Sequence, residues 1–253
     1  MSLLQVRDVK KYFGGVKALN GVGFDIRSGE CVALIGPNGA GKSTCFAALA
    51  GQQVPDAGRV EWGEPGHLQE VTGYSAAALS RLGIGRTFQV AQVFEALTVL
   101  QNLQLATSTD QGLAGFFLLK NQSVASCTAL LAQLGLEAVA HTQALLLPYG
   151  LKKRLELGIA LAAHPKLLLL DEPAAGLAET ERHELMTLVK GLTRRTTDPL
   201  AVLYTEHNMD AVFGVADGVL VLIDGQIAAQ GTPAQIALDP TVRLRYLGSA
   251  LHG

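Results

Sequence analysis

The chain has 253 residues, 49% of them hydrophobic, with 20 Lys and Arg against 22 Asp and Glu for a formal net charge of −2. This describes a globular protein of one large or two small domains with a sizeable core, and it gives no electrostatic argument for nucleic acid as the main partner. The scattered cysteines Cys31, Cys45 and Cys127 have no metal-ligand spacing and read as reduced, packed thiols, and no stretch reaches the ~18 apolar residues of a membrane helix.

The segment MSLLQVRDVKKYF carries charge early and holds no apolar signal core. Strands are predicted over residues 3–9 and 18–26, joined across the Gly14-Gly15 turn. CVALIG is a nearly continuous apolar run, as suits a strand buried on both faces. A helix follows from about Lys42 to Ala50, then a short strand at GRVEW, a short helix at AAALSRLG and an extended piece at GIGRTFQ. From about Thr98 to Leu136 apolar residues recur at helical spacing, interrupted by STDQGLAGFF, the expected mobile connection. Helix returns at YGLKKRLELGIALAAH and stops before Pro165. KLLLLDEP is a second buried strand and LAVLYTE a third, separated by an amphipathic helix with Leu185, Leu188, Val189 and Leu192 on one face. Asp224-Gly225 between two apolar runs predicts a hairpin. Buried strands alternating with helices mean an α/β fold with a largely parallel sheet, and the helical middle reads as an insertion into it.

The stretch LIGPNGAGKST, from Leu34 to Thr44, carries the chemistry. Gly36-x-x-x-x-Gly41-Lys42-Ser43 has P-loop spacing after a strand and before a helix. Backbone N–H groups must wrap phosphates closely, so Gly36, Gly39 and Gly41 are expected to clear that approach and to permit unusual dihedrals. The helix N-terminus adds partial positive charge. Asn38, Gly39, Ala40, Gly41, Lys42, Ser43 and Thr44 are the candidate nucleotide-binding residues, with Lys42 reaching the β- and γ-phosphates and the Ser43 hydroxyl on Mg²⁺. Asp171 ends a hydrophobic strand where it can hold the Mg²⁺ shell, and Glu172 beside it can polarise the attacking water. Alone, that acidic pair reads equally as helix-capping residues beside Pro173.

The placement of further elements resembles the ATP-binding cassette family over nearly the whole chain. The resemblance implies a P-loop NTPase (RecA-like) core with an antiparallel β subdomain and an inserted α-helical subdomain. A single nucleotide-binding domain would then span 1–253, with the core at 1–88 and 165–253 and the helical part at about 90–164. Phe13 stands where the family places an aromatic that stacks on adenine, with Val16 following; a core phenylalanine near a turn is the alternative. Gln89 in RTFQ matches the glutamine that contacts Mg²⁺ or water and senses the partner subunit. His207 in YTEHNMD matches the histidine that contacts the γ-phosphate, and EPAAGLAETE matches the loop that crosses to a second subunit.

Two segments depart from the family pattern. Where the family reads LSGGQ, this chain reads LPYGLKKR: Pro148 stands for Ser, Tyr149 for the first Gly and Leu151 for Gln, while Gly150 is kept. The missing hydroxyl removes a hydrogen bond to a charged phosphate, about 1–3 kcal/mol. Ala178 replaces the aspartate of the crossing loop. The Tyr-Gly signature, RLGIGRTFQ, EHNMD and the tail GTPAQIALDPTVRLRYLG together resemble the first of the two ATPase types of branched-chain amino acid importers. Importers of urea and short amides, exporters of lipid or lipopolysaccharide, and non-transport cassette ATPases are the alternatives. The resemblance implies ATP and Mg²⁺, a second ATPase subunit (a heterodimer favoured over a homodimer), two transmembrane permeases and an external substrate-binding protein. It implies no nucleic acid, and a peripheral place on the cytoplasmic face of a bacterial inner membrane.

Overall fold

A computed structural model describes residues 2–64, 66–87, 93–108, 122–194 and 199–247. β1 (Ser2–Phe13) and β2 (Val16–Arg27) form an antiparallel hairpin across Gly14 and Gly15, so that Phe13 faces Val16. β3 (Cys31–Ile35), α1 (Lys42–Leu49), β4 (Ala57–Glu64) and β5 (His67–Glu70) follow. The polar sequence of β5 carries no apolar alternation and was not expected as a strand; it forms because β4 offers it an antiparallel edge. These strands make a four-stranded sheet in the order β2-β1-β4-β5.

After α2 (Ala76–Arg81), β6 (Ile84–Arg86) leads towards the helical region, α3 (Val99–Ser108), α4 (Gln122–Leu134) and α5 (Tyr149–Leu161). The chain then returns through β7 (Leu167–Leu170), α6 (Glu179–Thr193), β8 (Ala201–Thr205), α7 (Met209–Phe213), β9 (Gly218–Ile223) and β10 (Gln226–Gly231). The second sheet has the order β10-β9-β3-β8-β7-β6, with neighbours parallel except the β9–β10 hairpin. That hairpin turns on Asp224 and Gly225, with φ of 51° and 73°, the pair of positive values a type I′ turn requires.

The central strands β3, β7 and β8 are buried at every position because each face meets a different core. Cys31, Ala33 and Ile35 of β3, Leu168 and Leu170 of β7, and Val202 and Tyr204 of β8 join the cluster shared with α3 to α6. Val32 and Leu34, Leu167 and Leu169, and Ala201 and Leu203 point the other way, into a cluster with Phe46 of α1 and the inner face of the antiparallel sheet. Each fully buried Leu contributes about 1.5–3 kcal/mol. On α6, Leu185, Val189 and Leu192 are buried as expected, Leu188 is half-buried, and Met186 joins the buried face. Two layers of packing hold β3, β7 and β8 rigidly in register, so the carboxyl ends of these strands present their loops side by side.

Candidate functional site

The loop after β3, the acidic end of β7 and the histidine after β8 meet at one cleft of about 570 Å³. It is lined by Asn38, Gly39, Ala40, Gly41, Lys42, Ser43 and Thr44, by Val16 and its neighbours on β2, and by Glu172, His207 and Asp224. Two loop glycines take the unusual dihedrals expected of them, and close backbone packing is a further cause that the sequence did not show. A Cβ on Gly36 would stand 2.0 Å from the carbonyl oxygen of Leu222, and one on Gly41 would stand 2.3 Å from that of Ala18. Their φ values of 150° and 104° also disfavour a side chain. These glycines let the loop pack against β9 and β2, whereas Gly39 alone faces open space. Open space at Gly39 leaves room beside the loop, and close backbone packing accounts for the other two.

Lys42 is only 8% exposed. Its Nζ folds back to donate to the carbonyls of Gly36 at 2.7 Å and Pro37 at 3.0 Å. Burial lowers its pKa from the ordinary lysine value, against the opposing pull of Glu172 and Asp171. Ser43 is exposed in the first turn of α1. Asp171 lies behind the cleft at 8% exposure: its Oδ1 accepts from the Thr205 hydroxyl at 2.9 Å, and its Oδ2 stands 3.5 Å from an Arg86 guanidinium nitrogen. Arg86 also donates to Gln52 Oε1. Glu172 adopts φ 48°, a left-handed conformation uncommon for a residue with a side chain. Its carboxylate accepts from His207 Nε2 at 2.9 Å, and its backbone N–H donates to Thr205 Oγ1 at 2.9 Å.

Phe13, Tyr149 and Gly150 do not line this cleft. Phe13 is 46% exposed at the hairpin tip, with Lys11 Nζ 5.7 Å from its ring centroid, so the alternative of a core phenylalanine does not hold. Tyr149 and Gly150 begin α5, against Gly176 and Glu181 rather than in the cleft. A Cβ on Gly176 would touch the Tyr149 ring at 3.3 Å, and one on Gly150 would meet Glu181 Oε1 at 2.7 Å. Gln89 and the tract 109–117 fall outside the described residues. Sequence reasoning missed Thr205, Arg86 and Gln52. A hydroxyl closing the apolar run LAVLYT and a lone arginine between GIG and TFQ were the only available signals.

A family model for the ABC transporter matches residues 19–175. The high-affinity branched-chain amino acid transport ATP-binding protein LivG of Salmonella typhimurium is 38% identical over 257 aligned positions, covering 98% of each chain. The counterpart BraF of Pseudomonas aeruginosa is 34% identical, again over 98% of each. Among solved structures, the ADP conformation of an ATP-binding cassette of an ABC transporter has a TM-score of 0.84 at 32% identity, over 98% of this chain and 99% of that one. A nucleotide-free cassette has a TM-score of 0.83 at 32% identity, over 97% and 99%.

Proposed function

The chain belongs to the ABC transporter family as an ATP-hydrolysing subunit, and from that premise we propose that it powers uptake of branched-chain or related amino acids through partner permeases. One observation carries the catalytic part: Glu172 and His207, hydrogen-bonded at 2.9 Å, face the loop 38–44 across a single cleft. In this reading the backbone N–H groups from Asn38 to Thr44 hold the phosphates, and Lys42 exchanges its carbonyl partners for phosphate oxygens. The exposed Phe13 stacks on the adenine beside Val16. The hard oxygens of Ser43 and Asp171 suit Mg²⁺, which neutralises charge on the phosphates when bound. Glu172 takes a proton from water as its oxygen attacks the γ-phosphorus and the bond to ADP breaks, while His207 orients Glu172 and meets the γ-phosphate. Gln89 would take the family's role toward Mg²⁺ or water.

Tyr149 and Gly150 open α5 and offer its N-terminal N–H groups to the nucleotide of a second cassette. Pro148 supplies no side-chain cap there, which favours a partner with a more regular signature, hence a heterodimer. The core at 1–88 and 165–253 and the helical part at about 90–164 would move relative to each other as the γ-phosphate comes and goes. A groove of about 480 Å³ lined by Val93, Phe94, Ile159 and Ala160 together with Arg86, Thr87 and Glu156 suits a coupling helix of a permease at the cytoplasmic membrane face. No helix among the described residues is long and apolar enough to cross a membrane, and in this reading the spanning parts are the permeases. The amino acid substrate is supported by the names of the two relatives, LivG and BraF. In cells lacking the chain, energised uptake of labelled leucine, isoleucine and valine should be lost, restored by the wild type and not by Glu172→Gln. Purified Glu172→Gln should bind ATP normally yet turn over at least about a hundredfold more slowly. Undiminished uptake without the chain would remove the substrate assignment, and undiminished turnover would remove Glu172 from its role.

A further inference from the structure

We propose that Thr205 is a positioning residue for the hydrolytic reaction, its hydroxyl setting Glu172 against Asp171; the inference rests on the roles given to those two acids above. Thr205 is the last residue of β8 and is 1% exposed. Its Oγ1 donates to Asp171 Oδ1 at 2.9 Å and accepts the Glu172 N–H at 2.9 Å. A hydroxyl has one proton and two lone pairs, so both bonds form together.

The position in the sheet gives these bonds their consequence. Backbone pairing of β7 with β8 ends at Leu170 and Tyr204. The Thr205 hydroxyl extends that pairing by a side chain, one residue further, to the two acids. On its other side Thr205 pairs with Leu34 of β3, the strand that leads into the phosphate loop. One residue therefore links the strand bearing the loop to the strand bearing the acids. His207 follows two positions on and holds the Glu172 carboxylate. The same strand end thus grips Glu172 at its amide and at its carboxylate. That grip answers the φ of 48° at Glu172, which a residue with a Cβ keeps only where its surroundings enforce it. Without the hydroxyl, the Glu172 N–H and Asp171 Oδ1 lose a partner. Rotation of the peptide between the two acids is the direct relief, and it moves the base.

Full-length Thr205→Val, Thr205→Ala and Thr205→Ser variants test this beside Glu172→Gln. Val and Ala are expected to lower kcat about tenfold to a hundredfold, the scale of an ångström-sized misplacement. KM for ATP, and ATP affinity in the absence of divalent metal, should stay within about threefold of the wild type, since the phosphate loop is untouched. Ser should remain within about threefold of wild type in every respect, because it keeps the hydroxyl. Independently of turnover, amide hydrogen exchange at Glu172 should accelerate about tenfold or more in Val and Ala and not in Ser. Wild-type turnover in Val and Ala, with Glu172→Gln inactive, overturns the positioning role alone. Equal losses in Ser and Val, or failure of both Val and Ala to fold, assign Thr205 to packing and overturn it too. Wild-type turnover in Glu172→Gln overturns the role of the base on which the inference stands, whatever the Thr205 variants do.

Discussion

Lys42 holds its charge against two neutral carbonyls, those of Gly36 and Pro37, inside its own loop. That arrangement is a poor substitute for water, which is why burial lowers the pKa of the ammonium. A phosphate supplies the anionic partner that the carbonyls lack, and a charge-assisted hydrogen bond contributes about 1.5–3 kcal/mol. Lys42→Ala should therefore weaken ATP binding at least about tenfold, as read by titration with a fluorescent nucleotide; an unchanged Kd would undercut the assignment of the loop. The residues of this loop were legible in the sequence because their spacing is contiguous. Thr205 and Arg86 were not, because each acts on Asp171 across a gap of tens of residues that only strand pairing closes.

At the scale of elements, α5 shows how far periodicity reaches and where it stops. Its helical character and its end before Pro165 were readable. Its environment was not: Lys153 and Glu156 are buried, paired at 3.3 Å, with the Lys153 ammonium 5.8 Å from the Tyr149 ring centroid. A charged residue normally marks a solvated helix face, but α5 is covered by α3, α4 and the sheet together, so its polar side faces protein as well. Gly158 permits that crowding. A Cβ there would come within 2.5 Å of Leu134 Cδ1 and 2.9 Å of Leu103 Cδ2, both on fully buried side chains with no room to retreat. Gly158→Val overpacks this site by more than the helix propensity gained over glycine offsets, and should lower stability by about 1–3 kcal/mol. Chemical denaturation measures it; a midpoint equal to that of the wild type would show that the three helices are loosely packed.

For the whole molecule, the two cores on either side of the central sheet enclose all three cysteines. Burial pushes the thiols of Cys31 and Cys45 up to about 12 and raises that of Cys127 as well. The sign follows directly. The unfolded chain releases these protons from about pH 8.5 upward while the folded chain keeps them, so the unfolded state binds fewer protons and stability falls as pH rises. Between about pH 9 and 12, Cys31 and Cys45 should each remove about 1.4 kcal/mol per pH unit, visible in urea unfolding curves at stepped pH and diminished in Cys45→Ala. Native protein at pH 8 should resist a thiol reagent that titrates all three cysteines after unfolding; ready reaction of the native form would contradict the burial. By itself the sequence determined the α/β class, the order of the apolar strands and helices, and the Gly36-x-x-x-x-Gly41-Lys42-Ser43 spacing between a strand and a helix, since each is written in contiguous residues or in a local period, whereas His207 was marked only by resemblance to a family. Only the tertiary structure decided why Gly36 and Gly41 must be glycine, that β5 is a strand, and that Thr205 joins the two acids. Those facts depend on which backbones lie side by side, and no local pattern encodes the partner a strand will find.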